Sequence, residues 1–251
     1  MTSKRGRGIV FLALAAALLG FAFVARACLL VRAARVGWRL PVVTAIRMGA
    51  DVNAPCGEGQ SRLLEVAAVM GDVILVDELL SAGANVNAQN ASGSTALMDA
   101  AASGERAVAG KLIRAGADVN ARSRRGDSML VSPVHNGHTE VVALLLRAGA
   151  RPDPDSAELL IDAIREKHDD ILRLLLTAGS DVDDRGPRAS TPLMWAARFS
   201  DVATLKQLIA YGADVDARDA DGLAAIDWAE QDDRRATVAV LKQYRATASR
   251  P

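Results

Sequence analysis

The 251-residue chain carries 30 basic and 30 acidic residues that cancel, so it lacks the broad positive field of a nucleic-acid-binding protein. Half of the residues are apolar but only 4% are aromatic, so the core must come mainly from Ala, Leu, Val and Ile, as short stacked helices allow. The length would ordinarily mean one or two domains unless the sequence is a repeat array, and the richness in Ala and Arg is of the kind seen in GC-rich bacterial genomes.

At the start, Lys4, Arg5 and Arg7 precede an uninterrupted apolar or small-residue stretch from Gly8 to Ala25, and Ala25-Arg26-Ala27 offers an A-x-A cleavage site. Residues 1–27 are therefore expected to be a secretory signal peptide or an uncleaved transmembrane helix. The stretch would reach about 27 Å as a helix against a hydrocarbon core of about 30 Å, so length does not separate the two. Arg26, Arg32, Arg35 and Arg39 lie beyond the stretch and compete with the positive residues before it, yet the expected orientation of residues 28–251 is outward. That places the protein in the cell envelope, in the periplasm or anchored in the inner membrane and facing the periplasm. Cys28 raises the question of a lipoprotein, but Ala25 and Arg26 fit a lipobox poorly.

Beyond the leader one phrase recurs: Gly49-Ala-Asp-Val-Asn-Ala54, Gly83-Ala-Asn-Val-Asn-Ala88, Gly116-Ala-Asp-Val-Asn-Ala121, Gly179-Ser-Asp-Val-Asp-Asp184 and Gly212-Ala-Asp-Val-Asp-Ala217, with Gly149-Ala-Arg-Pro-Asp-Pro154 as a degenerate copy. The glycines stand 34, 33, 33, 30 and 33 residues apart, the period of a supersecondary unit that must stack on its neighbours to bury its apolar face. Between phrases lie two short apolar-periodic runs split by a small-residue turn, such as Thr95 to Ala101, Gly104, then Val108 to Ile113, which predicts helix, turn, helix. Thr95 or Thr191 can cap a first helix, Pro192 is tolerated at its first position, and each phrase's glycine ends the second helix in a left-handed conformation.

These residues resemble the ankyrin repeat, whose pattern combines T-P-L-H-x-A, N-G-H-x-E-V-V-x-L-L-L and G-A-D-V-N. Thr191-Pro-Leu-Met-Trp-Ala-Ala197 and Asn136-Gly-His-Thr-Glu-Val-Val-Ala-Leu-Leu-Leu146 match it closely, and the resemblance spans Cys28 to about Ala246. It implies an all-α solenoid of about seven helix-turn-helix units with short β-hairpin fingers, at residues 28–54, 55–88, 89–121, 122–154, 155–184, 185–217 and 218–251. Three departures stand out. Pro133 falls inside the fourth unit's first helix, which should be short or bent. The fifth unit is three residues short, and Arg151 to Pro154 replaces its finger approach. Arg62 takes the place of the capping Thr in the second unit.

No catalytic constellation, cofactor motif or small-molecule site is expected. Of the three histidines, His138 fills the pattern's own G-H position, and the turn at Gly137 breaks the alignment of His135 with His138, so no metal site follows from spacing. Asp169-Asp170 and Asp232-Asp233 read as solvated helix ends, and no Gly-rich phosphate loop appears. Cys28 and Cys56 leave a disulfide open. One sits on a first helix and the other enters the next finger, and this expected placement favours unpaired thiols, because a bridge needs Cα atoms within about 7 Å.

The resemblance implies a non-catalytic module that binds another protein through a concave face of finger tips and first-helix ends. Carrying its contact positions over gives Ser92, Ser94, Ala102 and Ser103 in the third unit, Arg124, Arg125, Asp127, His135 and Asn136 in the fourth, and Arg188, Ser190, Arg198 and Phe199 in the sixth. Arg198 with Phe199 is the expected energetic centre, since Arg and aromatic side chains dominate desolvated interfaces. Arg122, Arg124 and Arg125 make one finger basic, while Trp195 and Trp228 read as packing residues. The expected role is to neutralise a toxic enzyme or to assist or protect an envelope protein. The alternative is a membrane-tethered scaffold facing the cytoplasm.

Overall fold

A computed structural model of the chain describes residues 23–152 and 156–248, so the apolar leader expected over 1–27 lies, up to residue 22, outside the described residues. Among the described residues no helix is long and apolar enough to cross a membrane. The described helices divide into two compact units, one ending at Gly126 and the other beginning at Asp127.

The first unit holds three helix pairs: α1 (Phe23–Arg35) with α2 (Arg39–Arg47), α3 (Leu63–Val69) with α4 (Val73–Ser81), and α5 (Ala96–Ala102) with α6 (Arg106–Arg114). First helices stack on first helices, α1 on α3 and α3 on α5, while second helices stack on second ones. The pattern of apolar residues explains why. In α4, Leu75, Val76 and Leu79 fall on one helical face and are buried, and Val108, Ala109 and Leu112 do the same in α6. Truncating a fully buried leucine of this kind to alanine destabilises by about 2–5 kcal/mol. Thr95 caps α5 by accepting the Met98 amide at 3.3 Å, whereas Arg62 leaves α3 without a side-chain cap. Gly116, like the other phrase glycines, has a positive φ, here 88°, which lets the chain leave α6 without the clash a Cβ would bring.

The second unit holds α7 (Val131–His135) with α8 (Thr139–Arg147), α9 (Ser156–Arg165) with α10 (Asp169–Thr177), α11 (Pro192–Phe199) with α12 (Val202–Ala210), and α13 (Ala225–Gln231) with α14 (Arg235–Ala248). The same stacking rule holds within it, with α9 against both α7 and α11. Pro133 is buried in α7, which is only five residues long, as its ring and missing N–H dictate. Thr191 departs from expectation: its hydroxyl is buried without a hydrogen-bond partner, and α11 begins instead on Pro192 with the Thr191 amide 3.3 Å from Met194 Sδ.

Two expectations are corrected. The fingers are not formed from β-strands: among the described residues there is no strand, only isolated bridge positions, Cys56 with Ser61 in one finger and Arg122 and Ser128 in another. Their backbone groups are taken up by side chains, by isolated bonds within a finger such as the Asn90 amide to Ser94 O, and by single links between successive fingers. Asn90 Oδ1 accepts the amides of Ser92 and Ser94, the Ala91 amide donates to Gly59 O, and the Arg124 amide donates to Ser92 O. Nor are the cysteines free thiols. Cys28 on α1 and Cys56 at the second finger are bonded, with Cα atoms 4.8 Å apart. The turn at Cys56 folds back through reciprocal hydrogen bonds with Ser61, and this presents the sulfur to α1.

Candidate functional site

The register of the repeats fixes which side chains end the first helices. Seven residues after Thr95 lies Ala102, and seven after Thr191 lies Arg198. The matching pairs are therefore Ala102 and Ser103, His135 and Asn136, and Arg198 and Phe199, and the same count adds Val69 and Met70, which the pattern comparison missed. Val69 is 49% exposed, Met70 43% and Phe199 41%, unusual for large apolar side chains in a packed stack.

In the first unit, Ser92, Ser103, Arg124 and Arg125 are exposed, whereas Ser94 and Ala102 are half-buried. Ser92 is held by Asn90, and Ser94 donates to Asp99 Oδ1 at 2.7 Å. Beneath them Glu65 is 4% exposed, with Arg62 Nη1 3.5 Å and Asn90 Nδ2 3.4 Å from its oxygens. Burial, and then repulsion from Asp99, raises the Glu65 carboxyl above its ordinary range, and burial likewise raises Asp99 against the Ser94 hydrogen bond. A shallow polar depression lined by Asn53, Arg62, Asn85, Asn87, Ala88 and Gln89 opens nearby, but its groups are already engaged. Asn53 and Asn87 each bridge two successive phrases, and Arg62 donates to Gln89 O. These polar groups serve the stack itself.

In the second unit, Asp127, His135, Asn136, Arg188, Arg198 and Phe199 are exposed. Ser190 is not, and its place among the contact residues is corrected: it is fully buried, its hydroxyl donating to Pro187 O at 2.7 Å and accepting Trp195 Nε1 at 2.8 Å. Arg188 pairs with Asp221. Arg198 and Phe199 belong to a larger group than sequence reading found. Phe199 stacks on Trp195 with centroids 5.5 Å apart, and Trp195 meets Trp228 at 5.8 Å. The Arg198 guanidinium lies 5.4 Å from the Phe199 ring centre and 5.8 Å from that of Trp228, and pairs with Asp232 at 2.8 Å. Arg165 covers Trp195 at 5.7 Å. The two tryptophans therefore pack, as expected, but they are half-buried and form the shelf on which exposed Arg and Phe side chains rest. The readable signal was their identical position one repeat apart.

Trp228 Nε1 donates to Asp219 Oδ2 at 2.9 Å. Burial works to raise the Asp219 carboxyl, but hydrogen bonds from the Leu223 amide, the Trp228 indole and the Asp221 amide outweigh it and hold it below the ordinary range. Asp201, capping α12 through the Thr204 amide, is also lowered. His135 Nδ1 lies 3.1 Å from Asp162 Oδ2, with Glu166 beside them, a grouping that spacing alone does not reveal because it joins α7 to α9.

The profile of the family described as "Ankyrin repeats (3 copies)" matches residues 30–123, 111–186 and 160–250. The chain belongs to the ankyrin-repeat family. Its helix pairs are ankyrin repeats, which makes it a protein–protein interaction module. Among solved structures it is similar to the human ASB11 ankyrin repeat domain, with a TM-score of 0.72 and 30% identity over 84% of this chain and 96% of that one. It is also similar to a chain in the structure of the Bd0816 predatory endopeptidase from Bdellovibrio bacteriovorus in complex with immunity protein Bd3460. The TM-score there is 0.65 and the identity 25%, over 73% of this chain and 98% of that one. No curated protein sequence matches the chain.

Proposed function

We propose that this ankyrin-repeat protein is a non-catalytic binder that acts in the bacterial cell envelope and neutralises a toxic enzyme by occupying it. The similarity to a chain solved within an endopeptidase–immunity protein complex, over 98% of that chain's length, carries the reading and favours a neutraliser over an assembly or protection factor. The location is supported by the sequence of the leader and by the Cys28–Cys56 bond, since disulfides persist in oxidising compartments and not in a reducing cytosol. Arg198 and Phe199, presented on the tryptophan shelf, are the binding centre. Their rigid support means little side-chain freedom is lost on contact.

The test is capture from envelope extract with the tagged full chain, followed by assay of the captured protein. The expected result is a hydrolase whose activity falls at one-to-one stoichiometry. Replacing Arg198 and Phe199 together by Ala should weaken capture by about 30-fold or more. A captured envelope protein without activity, protected rather than inhibited, would replace the neutraliser by an assembly factor. Capture from cytosol alone would overturn the envelope location in favour of an inward-facing scaffold.

A further inference from the structure

We propose that His135, Asp162 and Glu166 form a surface binding site for a divalent transition-metal ion, zinc by its donor set. One ligand atom from each residue, an imidazole nitrogen and two carboxylate oxygens, lies within 4.8 Å of the others. Two consecutive repeats build the site. His135 is the last residue of α7, and a 3.2 Å contact between its carbonyl oxygen and His168 Nε2 fixes that end of the helix. Asp162 and Glu166 are four residues apart, and the Glu166 amide donates to Asp162 O at 2.9 Å. The helical turn thus continues through both and sets their carboxylates on one face.

The charges favour a cation. Among the described residues neither Asp162 nor Glu166 forms an ion pair with a Lys or Arg, and the side-chain partner of Asp162 is the His135 imidazole. Asp162 is half-buried, which limits the water available to screen it. An imidazole nitrogen with two carboxylates is a transition-metal set, whereas calcium and magnesium sites are built from oxygen. Zinc bonds at about 2.0–2.2 Å hold tetrahedral donors about 3.4 Å apart, and the exposed His135 and Glu166 side chains reach that spacing by rotation. Three protein ligands leave a fourth position for water or a partner's side chain. His135 stands on the first-helix-end row, so that position opens on the side where Arg198 and Phe199 are presented in their own repeat.

The experiment titrates zinc chloride alone into the full chain in chelator-treated buffer near neutral pH by calorimetry, with cobalt(II) absorbance as the spectroscopic readout. The expected result is one ion per chain. His135→Gln and Glu166→Gln should each weaken it by more than the roughly 10–100-fold that losing an outer hydrogen-bond partner costs. His138→Gln, outside the trio, should bind as the wild type does, and the melting curves of all three variants should show them folded. No binding by the wild type, or binding that survives both His135→Gln and Glu166→Gln, overturns the site and leaves a hydrogen-bonded His–Asp pair. The metal alone is the probe, so this outcome is independent of whether the protein neutralises an enzyme.

Discussion

The two units solve the same local problem with opposite chemistry. Position for position, Asp99 of α5 corresponds to Trp195 of α11 and Trp228 of α13, and the matching finger residue is Asn90 before Asp99, Gly186 before Trp195 and Asp219 before Trp228. Where carboxylates fill the helix position and the space beside it, the finger supplies an amide whose Nδ2 donates to Glu65. Where the Trp228 indole fills it, the finger supplies the Asp219 carboxylate, which accepts the N–H. Ser94 and Ser190 show the same complementarity in one residue type, donating to Asp99 in the first unit and accepting from Trp195 in the second. The lesson is that a repeat position is conserved in geometry rather than in charge. The finger and helix residues must be read as pairs, because a buried polar group is tolerated only with its partner.

The largest break in this comparison comes from the covalent link, which the second unit lacks. Reducing Cys28–Cys56, or replacing both cysteines by Ser, should destabilise the first unit by about 3 kcal/mol, because the bond closes a loop over a separation of 28 residues. The second unit's unfolding should be unchanged, as unit-resolved hydrogen exchange would show. Next comes an exchange of the finger chemistry. Asn90→Asp removes the donor to Glu65 and adds a charge beside two raised carboxyls, and should cost about 2 kcal/mol at neutral pH in chemical denaturation.

A smaller effect, of the opposite sign, is expected at Asp183. In the first unit Asn53 and Asn87 each accept an amide from the next phrase and donate to the Gly83 or Gly116 carbonyl, but Asp183 only accepts, from the Asp214 amide. Asp183→Asn restores a donor for Gly212 O and should stabilise the second unit by about 1 kcal/mol, visible as a raised melting temperature. The smallest effect is in pH dependence. Glu65 and Asp99 have folded-state carboxyls raised above their unfolded values, so the folded first unit holds more protons just above the ordinary carboxylate range. Its stability should rise as pH falls from neutral toward that range and level off below it. Asp201 and Asp219, being lowered, contribute stability to the second unit that is lost only as pH falls below that range. Glu65→Gln should flatten the first unit's acid-side gain in urea titrations at stepped pH, and an unchanged slope would refute the assignment.

The repeat period, the helix pairs and the short α7 were legible because they follow from apolar spacing, the phrase glycines and Pro133, all local properties of the chain. The absence of strands was not, because whether a finger forms a ladder depends on side chains such as Asn90, which takes up the amides of its own finger. Ser190 was misplaced for a related reason. Its position faces outward in the family pattern, but the Trp195 indole needs an acceptor and draws the hydroxyl inward. The bond between Cys28 and Cys56, the aromatic shelf and the His135 grouping all join residues about one repeat apart. They become visible only when the sequence is written with its repeats aligned in columns, and even then distance and direction come from the stack.

The bond between Cys28 and Cys56 also changes what an exopeptidase meets. Among the described residues α1 stacks on a single first helix, α3, so an exopeptidase working toward it meets a helix supported on one side. Here trimming reaches Cys28 and stops at a residue held to the following finger by its side chain. Beyond it the first pair is a closed ring, which a protease that needs a loose end cannot enter. For a protein proposed to meet a degradative enzyme, that ring guards the described pair that has a stacking neighbour on one side.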